Sequence, residues 1–297
     1  MRGVPFHSTI RSLLADAERA LAVGPHPEKA RLDAEALLLL ALPKINRARM
    51  MAHKDEAVGS LGVAAMSSLV KRRLSGEPIQ YIAGETEFYR LPLYVSRDVL
   101  IPRPETEHVV EKVVHLAAGF GKPRIVDVGT GSGAIAVAIR HEWPDAIVTA
   151  TDISEAALQL ARRNAEHLKY ADQIRFMRGD LLAPVAGEPF DIVVSNPPYV
   201  ANRDRDSLSV EVRDFEPAQA LYAGEDGLAV YRRLIPAAFG ALVPGGYIAL
   251  EIGYEQSEAV RALLAESGFT EIGIAADLRG IPRVASARRP SDFADPP

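Results

Sequence analysis

VDVGTGSGAIAVAI, Val126 to Ile139, holds in fourteen residues an apolar run, three closely spaced glycines and a second apolar run rich in alanine. Val126 and Val128 on either side of Asp127 suit a buried strand, and the alanine-rich segment suits a helix. Gly129, Gly131 and Gly133 between them permit a tight strand-to-helix turn. They also let a ligand lie against the backbone near a helix amino terminus. The spacing is Gly-x-Gly-x-Gly rather than the Gly-x-Gly-x-x-Gly of dinucleotide sites, so a nucleotide-like ligand is expected but not a dinucleotide. Glycine serving turn geometry alone is the competing reading.

Outward from that stretch the same unit repeats. "AIVTATD" is followed by "EAALQLARRNAEHL", then come "IRFMRGD", "FDIVVSN" and "GGYIALEIG", with a helix after Gln256. Strands alternating with helices predict an α/β fold with a doubly wound, mostly parallel sheet over residues 104–288. The ends of its strands carry polar residues where such sheets bind ligands. The strand after the glycine turn ends at Asp152, a carboxylate able to accept both hydroxyls of a ribose. Asp152 could instead cap the next helix, although Ser154 is an equally good cap. The following strand ends at Asp180 and Leu181, whose carboxylate and backbone suit the exocyclic amine of a base. The fourth ends in Asn196-Pro197-Pro198-Tyr199. Prolines stop a strand on structural grounds alone, but they do not explain an amide before them and an aromatic ring after them.

Upstream, apolar residues recur at helical spacing, as in Ile10, Leu13, Leu14 and Ala17 and again in Leu32, Ala36, Leu39 and Leu40, predicting a small all-helical domain over residues 1–77. Residues 78–103 change to alternating aromatic and β-branched residues and predict a β-hairpin connector. Residues 289–297, "RPSDFADPP", lack an apolar period and predict a disordered tail. The 297 residues contain no cysteine, which excludes disulfides, thiolate catalysis and Cys-based zinc sites. Seven scattered histidines form no metal-binding pair, so no metal is expected. A net charge of −5 offers no global basic field for nucleic acid. No signal peptide or membrane-length apolar run is visible, which points to a cytoplasmic protein with no membrane partner.

The succession of glycine turn, ribose acceptor and base acceptor resembles the class I, Rossmann-like methyltransferases that use S-adenosyl-L-methionine. That resemblance implies cofactor contacts from Gly129, Thr130, Gly131, Ser132, Gly133, Asp152, Asp180, Leu181 and Asn196. It also implies that Asp127 orients the loop and the aminoacyl end of the cofactor. Asn196-Pro197-Pro198-Tyr199 resembles the motif of enzymes that methylate a planar, conjugated NH2 group. Such a nitrogen is a poor nucleophile because its lone pair is delocalised. The Asn196 oxygen and the Pro197 carbonyl could each accept one N–H and leave the pair aimed at the methyl, while Pro198 stiffens the loop and Tyr199 covers the flat face. The motif alone does not separate an adenine or cytosine amine from a glutamine amide.

Along nearly its whole length the chain also resembles the glutamine N5-methyltransferases of class 1 peptide-chain release factors, the PrmC/HemK family. The resemblance rests on "EPIQYIAGETEFYRLPLYVSRDVLIPRPETE", "VDVGTGSGAIAVAI", "ATDIS", "FDIVVSNPPYV", "EPAQALYAGEDGL" and "LEIGYEQ" in that order. It implies that the helical domain recognises the protein substrate and that the target is the glutamine of a Gly-Gly-Gln loop. A sister group that methylates a ribosomal protein shares the core motifs. An adenine-N6 nucleic-acid methyltransferase would want a basic face and an insertion that are not visible, and a silent cofactor-binding scaffold would not need Asn196. The Arg103–Glu107 segment is expected either to close over the cofactor or to form an ion-paired turn. Glu216 and Arg283 match the family pattern without an assigned chemistry.

Overall fold

The computed structural model describes residues 8–291. The chain falls into two compact units: one takes the chain up to Gly84 together with Leu208–Phe215, and the other takes Glu85–Ser207 and the chain from Glu216 onward. A linear reading that ends the helical domain at residue 77 contains no such returning segment. Residues 1–7 and 292–297, which hold the amino-terminal end of that domain and most of the expected tail, lie outside the described residues. Arg289, assigned to the tail by its sequence, is held: its N–H donates to Gly246 O at 2.8 Å and its carbonyl accepts from Gly245 N at 2.9 Å.

The first unit is helical. α1 (Ile10–Leu21) opens with Thr9 Oγ1 accepting from Ser12 N and Ser12 Oγ accepting from Thr9 N, so two orphan donors are satisfied reciprocally. Its buried residues Ile10, Leu13, Ala17 and Leu21 fall three or four apart. With α2 (Ala30–Ala41), α3 (Arg47–Ala52), α4 (Ser60–Leu74) and α5 (Ile79–Ala83) they enclose a separate apolar core around Leu37, Leu38, Met50 and Met66. Arg73, near the end of α4, is 1% exposed and bonds Asp33 at 2.6 Å, Glu77 O at 3.0 Å and Glu211 of the returning segment at 2.7 Å. A buried guanidinium is tolerable only when so partnered; stripping one carboxylate from such a cluster costs about 3–5 kcal/mol.

The second unit begins with β1 (Glu85–Phe88) and β2 (Leu91–Tyr94), an antiparallel hairpin turning at Tyr89 and Arg90, both at positive φ. Two such residues give the twist that a two-residue hairpin needs. Its apolar residues Phe88, Leu91 and Leu93 are built into the core of this unit. Then follow α6 (Glu107–Ala117), β3 (Arg124–Val128), α7 (Ala134–Glu142), β4 (Ile147–Asp152), α8 (Glu155–His167), β5 (Ile174–Arg178), β6 (Phe190–Ser195), α9 (Val210–Phe215, in the helical unit), α10 (Ala218–Leu221), α11 (Ala229–Ala241), β7 (Leu242–Glu251), α12 (Ser257–Glu266), β8 (Thr270–Ala276) and β9 (Pro282–Arg288). The sheet order is β5-β4-β3-β6-β7-β9-β8, parallel from β5 through β7 and antiparallel on both sides of β9. Alternate residues point to opposite faces of a strand. Ile125 and Ile192 therefore join α6 and α7 on one side, while Val126 and Val193 join α11 and α12 on the other. This is the mostly parallel, doubly wound sheet with an amino-terminal helical region that the sequence predicts. From β3 the chain winds outward through β4 to β5, and β6 returns to the other side of β3, so the order reverses between β3 and β6. Open α/β sheets bind ligands above the carboxyl ends of such a pair.

Candidate active site

A cavity of about 390 Å³ opens there. Its floor is the turn after β3. Gly129 and Gly131, both at positive φ, line it, and a Cβ built on either meets no atom within 4 Å, so the space against this backbone is an open cradle that any side chain would fill. Such a surface fits a flat or flexible ligand lying close to the main chain. Thr130 and Ser132 line the cavity beside them. Gly133 is not on its wall: an added Cβ there would stand 3.1 Å from Ala161 Cβ, so this glycine allows α7 to approach α8. Asp127 lies beneath, fully buried, with Thr130 Oγ1 donating to its Oδ2 at 2.6 Å and no hydrogen bond of ordinary geometry at Oδ1. Burial pushes this carboxyl up to about 7, against the hydrogen bond from Thr130 and the nearby Ala136 N–H.

Asp152, at the end of β4, also lines the cavity, and its carboxylate is already engaged by backbone. Oδ2 accepts from Gly131 N at 2.9 Å and Oδ1 from Ser154 N at 2.8 Å, while Ser154 Oγ caps α8 through Ala157 N. Asp152 thus braces the glycine turn as well as facing the space above it; each oxygen keeps a further lone pair for a ligand hydroxyl. Asp180 and Leu181 line the same cavity. The Asp180 carboxylate pairs with Arg233 of α11, and the Leu181 carbonyl accepts from Thr151 Oγ1 at 2.9 Å.

On the opposite side, β6 carries Asn196 and Pro198 to the cavity edge, and Ser195 Oγ ties the ends of β6 and β3 by donating to Val128 O at 2.6 Å. Pro197 is buried, and Tyr199 lies away from the cavity wall. Asn196 Nδ2 donates to Thr106 Oγ1 at 3.1 Å, Thr106 Oγ1 donates to Glu251 Oε2 at 2.6 Å, and the Tyr199 hydroxyl donates to Glu251 Oε1 at 3.3 Å. Asn196 Oδ1 receives no hydrogen bond from the described residues. Burial raises both the Glu251 carboxyl and, well above its ordinary range, the Tyr199 phenol; at Glu251 the bonds from Thr106 and Tyr199 and the Arg283 charge oppose it.

Sequence reading missed Glu251, which sits unremarked in a strand, and did not separate Thr106 from its charged neighbours. It also missed Asn164 on α8, fully buried, whose amide donates to Ser132 O at 2.8 Å and Tyr94 O at 3.0 Å and accepts from Tyr94 N at 2.7 Å, pinning the glycine turn to the hairpin. Of the Arg103–Glu107 segment, Thr106 lines the cavity and Arg103 pairs with the buried Glu216, and no side chain of the segment caps α6. Glu107 accepts from Tyr89 N at 2.8 Å, and Arg283 holds Asp277 at 3.0 Å with Glu105 4.0 Å away. Among the described residues there is no cluster of ligands able to hold a metal ion, and no helix long and apolar enough to cross a membrane.

Residues 109–223 match the methyltransferase small domain and residues 12–84 match the PrmC N-terminal domain. The catalytic domain of hMettl16 in complex with MAT2A 3'UTR hairpin 6, at 18% identity over 70% of this chain and 77% of that one, shares the fold with a TM-score of 0.56. Fold and family match define an S-adenosylmethionine-dependent methyltransferase. The chain is 40% identical to release factor glutamine methyltransferase of Koribacter versatilis over 95% of its own length and 99% of the relative's. It is 43% identical to that of Moorella thermoacetica over 88% and 91%. It belongs to the release factor glutamine methyltransferase family.

Proposed function

We propose that this protein methylates the side-chain amide nitrogen, N5, of the glutamine in the Gly-Gly-Gln motif of class 1 peptide-chain release factors, in the cytoplasm. The observation that carries the reading is the Asn196 amide at the cavity edge, with its NH2 committed to Thr106 and its oxygen left for an incoming donor. The relatives that align with nearly the whole chain carry the name of this activity. A net charge of −5 gives no broad basic surface for a nucleic-acid backbone.

Gly129 to Ser132 and Asp152 would hold the cofactor, with Asp180 and Leu181 toward its base. S-adenosylmethionine supplies an electrophilic methyl group on a sulfonium. An amide nitrogen is a weak nucleophile because its lone pair is shared with the carbonyl. Asn196 Oδ1 and the Pro197 carbonyl accept the two amide N–H groups, which draws the lone pair out of conjugation and fixes its direction. The same acceptors stabilise the positive charge that grows on nitrogen, and Pro197 and Pro198 hold them in place before the substrate arrives. The nitrogen gives up its proton after the transfer, so no strong base is required. Tyr199 does not line the cavity; its hydroxyl holds Glu251 instead.

Incubation with labelled cofactor and, separately, a release factor, a ribosomal protein mixture and DNA tests this. Label is expected on the release-factor glutamine. Label on DNA alone would overturn the reading, and label only among the ribosomal proteins would move the substrate to the sister group.

A further inference from the structure

Thr106 occupies the position before α6 where a threonine hydroxyl ordinarily accepts a backbone N–H, and here it makes no such bond. Its hydroxyl lies between Glu251 and Asn196 instead. Glu251 is 2% exposed at the end of β7, a place where a carboxylate is costly unless its oxygens are satisfied. Both oxygens are: Oε2 takes Thr106 and Oε1 takes Tyr199. Thr106 Oγ1 donates its single hydrogen to Glu251 Oε2 at 2.6 Å, which leaves its oxygen only lone pairs to offer Asn196. Asn196 can answer a lone pair only with its NH2, and its oxygen must then face the other way.

We propose that Glu251 and Thr106 form a polarity relay that decides which end of the Asn196 amide meets the substrate. Thr106 is a positioning residue, acting through Asn196 rather than on the reacting atoms. Without its acceptor oxygen the Asn196 amide is free to turn over and present NH2 to the glutamine NH2, a donor facing a donor. The inference rests on the role given to Asn196 above.

Thr106→Val keeps the shape and removes the hydroxyl. In single-turnover reactions with a release factor it is expected to slow methyl transfer about 10–30-fold, less than loss of an acceptor itself because the wrong orientation is only populated and not enforced. Cofactor affinity and the KM for the release factor should stay within about twofold, and Thr106→Ser should restore the rate to within about threefold, because the effect lies in the transition state alone. In an Asn196→Ala background the same Thr106→Val change should have no further effect, since residues acting as one unit are not additive. Wild-type rate in Thr106→Val, failure of Thr106→Ser to rescue, or a full additional loss in the Asn196→Ala background would each overturn the relay. Should melting show Thr106→Val unfolded, Thr106→Ala removes the hydroxyl without steric load and carries the same expectations. A near-normal rate in Asn196→Ala alone would sink the substrate role of Asn196 instead, so the two failures are distinguishable.

Discussion

The two walls of the cavity are built on opposite plans. The wall after β3 is main chain: two glycines with open space over them, stiffened by Asp152 and Asn164 reaching to backbone atoms. The wall after β6 is side chain: Asn196 and Thr106 face the cavity, held from behind by Glu251, which Tyr199 also bonds. A backbone wall accepts a ligand by shape and is lost only by filling it, whereas a side-chain wall carries direction and fails when a single atom is removed. Cofactor binding and chemistry should accordingly separate under mutation.

Asn196→Ala puts that separation to its hardest test. Turnover should fall by about 10²-fold or more while cofactor affinity stays nearly intact. Single-turnover kinetics beside a calorimetric cofactor titration measure the two, and a parallel fall in affinity would mean the walls are not independent. Changing the substrate probes the same wall from the other side. A release factor reading Gly-Gly-Asn offers the same amide on a stem one methylene shorter, about 1 Å short of its place, and should bind yet be methylated about 10²-fold more slowly. Methylation at the glutamine rate would show that the wall does not measure length.

Asp152→Ala tests the backbone wall. Loss of charge-assisted hydrogen bonds to a ribose should weaken cofactor binding by about 1.5–3 kcal/mol. Because the carboxylate also holds Gly131 N and Ser154 N, the cofactor-free protein should lose about 1–2 kcal/mol of stability as well. Titration and denaturant melts read the two terms, and unchanged affinity would remove Asp152 from the site.

A pH slope tests the buried floor beneath the backbone wall. Folding lifts the Asp127 carboxyl from its ordinary 3.8 to about 7. Between those values the unfolded chain releases the proton and the folded protein keeps it, so this group makes stability fall as pH rises from about 4 to 7, by at most about 4 kcal/mol, and adds no change above. Asp127→Asn should flatten cofactor-free melts across that window; an unaltered slope would mean that the carboxyl is ionised in the fold.

The difference between the walls also explains what could be read in advance. Gly129 and Gly131 announce themselves because a tight turn after an apolar strand needs glycine at those very positions, and Asn196 stands out beside two prolines. Gly133 was equally visible, but its reason, the approach of Ala161, is a long-range fact. Thr106 and Glu251 lie 145 residues apart and meet only once the sheet has formed, so neither stretch hints at the other. Asn164 reads as one more polar residue on a helix, yet it is fully buried. Nothing in the run Lys71-Arg72-Arg73 marks the third base as the one enclosed by Asp33 and Glu211. Alternation of strands and helices carried the sheet and its winding, because burial on both faces is written along each strand.

Glu211 gives the helical unit a history as well as a structure. On the ribosome the helices that bury Arg73 emerge first, and the carboxylate that completes them arrives only after all of residues 85–207 have been made. Synthesis from the amino terminus thus leaves a guanidinium waiting with an incomplete set of partners while the sheet is assembled. A nascent chain stalled before Leu208 should therefore show weaker protection of the helices in proteolysis than one released beyond Phe215, and equal protection at both lengths would show that the helices do not wait. The first-made part of the protein is thus completed only by a segment made some hundred and twenty residues later.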